Sequence, residues 1–544
     1  MRLSTPILRS LIAIAPLAFP ANAFAQDAAP ESSGRNVVVQ PYIEVSQIVL
    51  AELSPGDDVL TYTQVAAGID ATITGRNNGA SVSLRYERNI GYGSDTIDSD
   101  TISGVARGYA SIVPNALTLE AGALATRTQV DGSGGSSSNP LVSRDSESRI
   151  YSAYAGPNVH SRVGDVQVNA VGRVGYTRFE APDAIPVIGS EPLDVFDESV
   201  TYMGQVHLAT KAGEPLPVGL GIGGGIFQED VSNLDQRVRD VHVRADVTVP
   251  VTPTFAVVGG VGYEDVQISS RDAVRDGTGA PVIGSDGRYV TDKSEPRQIA
   301  YDVDGIIWDV GVVWQPSRRT ALEAHVGRRY DSTTYYGSFA WKPSAISQVN
   351  IAAYDGVSGF GGVLTNSLAG LPTEFEAVRN SLTGDFNGCV AGNEGSGCLA
   401  GTFGSVRSSV FRGRGVQASY SRKMGRYNAI VAAGYDRRKF IAAIGTVLEA
   451  ANGIADESYY VSSSLSGELG PNAGFTVGSY INWFNSGFAD GGDVVAMGSS
   501  ASYRRSITSK LSARAAIGFD YINSDISSED LSNASALLGL RYDF

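Results

Sequence analysis

Apolar and polar residues alternate along most of this chain. Val65, Ala67, Ile69, Ala71 and Ile73 share one parity, and Gln64, Asp70, Thr72 and Thr74 hold the other. Ala80, Val82, Leu84 and Tyr86 oppose Ser81, Ser83, Arg85 and Glu87 in the same way. The scheme returns at Val166–Tyr176, at Val241–Val249 and at Leu511–Tyr521. It closes the chain, where Ala534, Ala536, Leu538, Leu540, Tyr542 and Phe544 form one apolar row. A period of two is the mark of a strand with unlike faces. Beyond the N-terminal stretch no apolar run reaches the ~18 residues that a membrane-spanning helix needs, so any membrane segment is built from strands.

The connections between these segments fall into two interleaved sets. One is short: Gly75–Gly79, Pro114–Ala116, Pro157–Arg162, Lys211–Pro215, Pro250–Pro253, Gln315–Arg319, Lys342–Ser344, Lys423–Gly425, Pro471–Ala473 and Ser506–Ser509. The other is mostly longer and rich in acid or glycine: 51–58, 91–98, 129–146, 181–197, 229–236, 268–298, 355–404, 440–456, 487–492 and 523–532, with a brief gap at Asp331–Thr333. A soluble sandwich or propeller has no reason to sort loop length by parity, whereas outer-membrane barrels put short turns on the periplasmic side and long loops outside. The pattern predicts an all-β fold: a closed antiparallel up-and-down transmembrane barrel of about 22 strands over 37–544, with 20 as the alternative count. Tyr420 and Tyr427 flank one short turn, and Trp314 and Trp341 lie beside two others, as an interfacial girdle requires. Pro372–Leu382 and Phe440–Ala451 are expected to be helical pieces of loops, able to fold into the mouth.

The ending Leu540-Arg541-Tyr542-Asp543-Phe544 resembles the C-terminal assembly signal of Gram-negative outer-membrane barrels, with Leu540, Tyr542 and Phe544 as its apolar positions. With Tyr420-Ser421-Arg422-Lys423-Met424-Gly425-Arg426-Tyr427 and the Tyr-ended strands, it makes the chain resemble the large beta-barrel porin type of outer-membrane protein, some of which accompany exopolysaccharide or protein-sorting gene clusters. The resemblance implies the outer membrane, its lipid and lipopolysaccharide, and the barrel-assembly machinery as surroundings. It implies no catalytic motif and leaves the solute unnamed. Siderophore and vitamin receptors share the strand count but carry an N-terminal plug and an energy-coupling box. Here 26–36 reads as a polar leader too short for a plug, so energised uptake is not expected.

The N-terminus fits export. Arg2 and Arg9 precede the apolar run Leu11–Phe19, and Ala23-Phe24-Ala25 offers a small-x-small cleavage site, so 1–25 is read as a signal peptide. An oxidising compartment would let Cys389 and Cys398, nine apart in a Gly/Asn/Ser-rich stretch, close a disulfide. A formal charge of −15 and the lack of a basic arm exclude a general nucleic-acid binder. The 64 glycines against 18% charged residues suit close-packed strands and tight turns. A mean hydropathy of −0.04 is the average of a lipid face and a lumen face.

Candidate chemistry is thin. The glycines at 219, 221, 223, 224 and 225 continue into strand at Ile226-Phe227, not into the helix a phosphate cradle needs. His207, His242 and His325 take the polar parity, and His160 is placed at a short turn; none pairs at metal spacing. No catalytic, metal or cofactor site is expected. Arg85, Glu87, Asp70, Arg173, Arg244, Asp246, Arg514 and Asp520 are the lumen-lining candidates, among many Ser, Thr, Asn and Gln. Mixed charge with hydroxyls and amides suits a hydrated conduit for a polar solute or polysaccharide, or a network of ion pairs that braces the wall. The acids at 95, 98, 100, 191, 194, 197, 529 and 530 can hold divalent cations bridging lipopolysaccharide, or simply be solvated. The expected function is a porin-like passive channel. The alternatives are a non-conducting barrel acting through its loops as adhesin, anchor or assembly partner, and, third, an outer-membrane hydrolase.

Overall fold

A computed structural model describes residues 36–92, 99–130, 136–137, 147–185, 193–213, 216–392, 395–403, 409–488, 492–525 and 530–544. The expected signal peptide 1–25, and all but the last residue of the leader 26–36, lie outside the described residues. One antiparallel sheet of 23 strands dominates. Setting aside the two-residue piece Ser136–Ser137, 22 strands form the wall, from Asn36–Ser54 to Leu531–Asp543. Each pairs with its neighbours in sequence, and the last pairs with the first: Tyr542 faces Ile43 and Leu540 faces Val45. Closure leaves no sheet edge unpaired.

Alternation sets the two faces. Val65, Leu84, Val174, Val243, Ile517, Leu538 and Leu540 point outward and are exposed, while Gln64, Ser83, Glu87 and Asn169 point inward and are buried. In water this belt of exposed aliphatics would be a large aggregation surface. Against hydrocarbon it is the favourable face of a spanning barrel. Trp314, Trp341, Tyr420 and Tyr427 are exposed on the outer wall near the short turns, and Phe544 ends the chain at the same level, its ring edge-on to Tyr542 at 5.2 Å.

The turns differ in detail from expectation. Pro157–Arg162 is not a turn: the strand Glu147–Val163 runs through it, and the turn is Gly164-Asp165. The ladder to the next strand lapses at Gly156-Pro157, where proline has no N–H to give, and resumes at Asn158 opposite Val171 in the same register. His160 therefore sits in a strand, against Asn169. Likewise the strand Ser332–Ser344 absorbs Lys342-Pro343 at an irregularity in its pairing.

The connection between the strands Ser347–Ser358 and Phe411–Met424 folds into the barrel. It carries a helix, Phe360–Ala369, and a small three-stranded sheet, Glu376–Arg379, Phe386–Gly392 and Gly395–Cys398. A helical turn, Ala400–Phe403, follows. Pro372–Leu382 is thus extended rather than helical; Asn380 accepts the N–H groups of Leu382 and Thr383 and turns the chain there. The helix lies upstream, where Phe360, Leu364 and Leu368 recur every fourth residue as one buried face. Phe440–Ala451 yields only a short helical turn at Glu449–Ala451.

Candidate functional site

The closed sheet encloses a lumen, and the insert between Ser358 and Phe411 packs against its inner wall. Contacts along its length hold the insert. At its start the buried Glu229 carboxylate accepts the Gly359 and Gly362 N–H groups (2.7 and 3.0 Å) and the Ser199 and Ser358 hydroxyls (2.7 and 3.0 Å). A carboxylate against the first turn of a helix also opposes the helix dipole favourably. The helix then buries Phe360, Leu364 and Leu368 against Val105, Leu124, Ile150 and Phe179 of the wall. Deeper in, Phe375 N–H donates to Ser81 Oγ (3.0 Å), and Arg379 reaches Ser83 Oγ and Ser103 Oγ (2.9 and 3.2 Å). Burial pulls the Arg379 guanidinium below its ordinary value. Finally Leu382 enters an apolar socket of Ile48, Tyr62, Ala516 and Leu537.

The lumen candidates do not converge on one site. Arg85, Glu87, Asp70 and Arg514 fall in one region and are tied together by residues the sequence reading missed. Arg85 pairs with Glu44 (3.0 Å) and Glu87 (3.2 Å), Arg514 pairs with Glu44 (3.2 Å), and Arg127 bridges Glu87 (2.7 Å) to Asp385 of the insert (3.1 Å). Asp70 accepts from Ser83 (2.6 Å) at the margin of this group. Arg244 and Asp246 lie in a second network, with Arg244 on Asp309 (2.7 Å), His207 on Asp246 (2.9 Å) and His325 on Asp309 (2.9 Å). Arg173 sits under the insert helix, donating to Asn366 (2.9 Å) over the Tyr154 ring. Asp520 stands apart and accepts the Tyr480 hydroxyl (2.9 Å).

Buried charges this closely paired brace a wall more readily than they greet a solute, since each has already exchanged water for a partner. The strands 455–506 are different. Ser462, Ser464, Ser466, Thr476, Gly478, Ser500 and Ser502 face inward there and stay partly exposed, with the Arg504–Glu468 pair (3.1 Å) near the short-turn end of the same face. Between this region and the insert helix lies a cavity of about 130 Å³, bordered by Asn350, Tyr354, Gln417, Asp436 and Tyr460 of the wall. Glycine makes room for two of its rings. A Cβ at Gly434 would overlap Tyr460, and one at Gly415 would meet Tyr354.

Cys389 and Cys398 face each other across the insert hairpin as a disulfide, with Cα atoms 4.1 Å apart. Of the acidic loop residues, Asp95, Asp98, Glu191 and Glu529 lie outside the described residues. Asp100 pairs with Arg88 (3.0 Å), and Asp530 accepts from Tyr521 (2.7 Å). Among the described residues no cluster of His, Cys, Asp or Glu is arranged to hold a metal.

The insert footprint was legible in one signal. Ile48, Tyr62, Val105, Leu124, Ile150, Phe179 and Leu537 are apolar residues on the polar parity, and all are inward and buried beneath the insert.

No family model and no curated protein matches the sequence. Solved structures of similar shape include the FrpB iron transporter from Neisseria meningitidis (F5-1 variant), 11% identical, with 93% of this chain and 82% of that one covered at a TM-score of 0.44. The ferric-catecholate import receptor Fiu from E. coli K12, closed form, is 8% identical over 92% and 81% at 0.45. The siderophore receptor PiuA from Acinetobacter baumannii is 9% identical over 92% and 82% at 0.41. At this level of likeness nothing is carried over to the ligand or mechanism of this chain.

Proposed function

We propose that the protein is an outer-membrane channel through which polar solutes pass passively, narrowed by its 359–410 insert. The observation that carries this reading is a lumen only partly filled: the insert is held by buried charges and apolar contacts, while small inward hydroxyls beside it, Ser462, Ser464, Ser466, Ser500 and Ser502, stay partly exposed. A wall of 22 strands encloses more than its side chains can fill, so a folded segment must narrow it or it conducts freely. The proposed route follows the cavity beside the insert helix and continues along Ser462, Ser464 and Ser466. Placement in the outer membrane rests on the closed sheet and its apolar outer belt. Kinship with the beta-barrel porin type, and with it a link to polysaccharide export, belongs to the same proposal and rests on the terminal Leu540, Tyr542 and Phe544. Lipopolysaccharide and the barrel-assembly machinery are its proposed partners. Planar-bilayer recording from the pure folded chain tests the reading. Discrete channel events are expected. Their absence would favour a barrel that acts through its loops as adhesin, anchor or assembly partner.

A further inference from the structure

The cavity between the insert helix and the wall has a chemistry of its own. Its charges cancel: Asp436 accepts Arg438 Nε–H (2.6 Å) and the Tyr354 hydroxyl, and Arg438 also donates to the Thr402 carbonyl (3.1 Å) and lies over the Phe411 ring. What remains on offer is uncharged. The buried Ser396 Oγ on the cavity border has no hydrogen-bond partner among the described residues. A buried hydroxyl left so forgoes about 1–3 kcal/mol that a ligand can restore. Gln417 makes no side-chain hydrogen bond among the described residues. Asn350 accepts from Gln348 (3.0 Å), which leaves its amide N–H groups to give. Tyr354 and Tyr460 line the cavity beside these groups. At about 130 Å³ the space is close to that of cavities known to admit a single six-membered ring.

We propose that this cavity binds one uncharged, polyhydroxylated ring: a pyranose unit. Free amide and hydroxyl groups meet its hydroxyls, an aromatic face meets its apolar C–H face, and no net charge draws an ionic solute. The proposal deepens the passage reading and rests on it for the route by which the ring arrives.

Isothermal titration of the full-length chain, folded in detergent, with D-glucose tests it. D-gluconate and D-glucosamine serve as anionic and cationic counterparts. Glucose is expected to bind at one site, and both charged analogues at least about tenfold more weakly. Gln417→Leu removes an amide at similar volume and should weaken glucose about tenfold, the cost of one good hydrogen bond, with thermal unfolding unchanged. Asn350→Leu is the second variant should the first fold poorly. Maltohexaose titrated in parallel separates a free sugar from the end of a chain. No heat with glucose, equal binding of gluconate, or binding indifferent to both variants would overturn the site. Channel events without glucose binding would leave the passage standing and remove the site; glucose binding without channel events would do the reverse.

Discussion

Two walls of one barrel were built from the same alternating pattern and ended with opposite interiors. Under the insert, the strands Asn78–Gly91 and Leu117–Val130 hold Arg85, Glu87 and Arg127 buried and paired, with Ser81, Ser83 and Leu124 buried beside them. On the strands Ala455–Gly470 and Asp493–Ser506 the inward row is richer in serine: Ser462, Ser464, Ser466, Ser500 and Ser502 are partly exposed, between the buried Asp456 and Ser458 at one end and the Arg504–Glu468 pair (3.1 Å) at the other. The difference teaches where the insert belongs. Its apolar face needs an apolar footprint, its Asp385 needs Arg127, and the serine wall offers neither. Docked there, the insert borders the serine strands at Val378–Leu382 and leaves their hydroxyls partly exposed.

The largest break in that contrast is removal of the insert. Replacing residues 360–409 by a short Gly/Ser linker should leave a heat-modifiable barrel and raise single-channel conductance severalfold, because the enclosed space then has no filler. Next comes a charge in its deepest socket. Leu382→Asp buries a carboxylate among Ile48, Tyr62, Ala516 and Leu537, a penalty of several kcal/mol. Proteolysis of the folded protein should then cut the insert while sparing the wall. Ser500→Asp, on the strand beside that socket, adds a charge at a partly exposed inward position and should shift ion selectivity toward cations. Glu229→Gln is milder. A neutral amide can keep some of the contacts to Gly359, Gly362, Ser199 and Ser358 but loses the charge against the helix start, about 1–2 kcal/mol. Current traces should show more frequent brief closures or openings than in the parent.

The smallest effect lies outside both walls and serves as a control. Burial raises the Asp235 carboxyl, but the Arg297 and Arg271 guanidinium groups outweigh it and hold the group below its ordinary value of 3.8. A depressed carboxylate lends its stability above the unfolded value and loses it as pH falls through the folded one. Protease sensitivity of the 271–297 loop should therefore rise only under strongly acidic conditions, while conductance carried by the serine wall stays as it was.

Much of the architecture was legible because hydrocarbon imposes it. A strand facing lipid must alternate, and the sorting of loop lengths made the count of 22 readable. Turn limits were less legible, since proline marks a turn only where an N–H is required; Pro157 and Pro343 sit where the ladder lapses. The insert was hardest. Its helix Phe360–Ala369 holds two glycines and no charged first turn, so local signals point elsewhere. What specifies it is tertiary: a run of inward apolar residues, Val105, Leu124, Ile150 and Phe179, scattered over four strands. Which of the charged candidates pair depends on strands far apart in sequence, as Arg514 with Glu44 shows.

The claim that solutes pass along the serine wall and not beneath the insert is tested most directly by thiol block. Ser464→Cys and Ser83→Cys each add one free thiol to a chain whose two native cysteines are joined. Ser83 is buried under Arg379, whereas Ser464 is partly exposed beside the insert. A bulky charged methanethiosulfonate reagent should cut the current through Ser464→Cys and leave Ser83→Cys unchanged. Block at Ser83→Cys with none at Ser464→Cys would contradict the account.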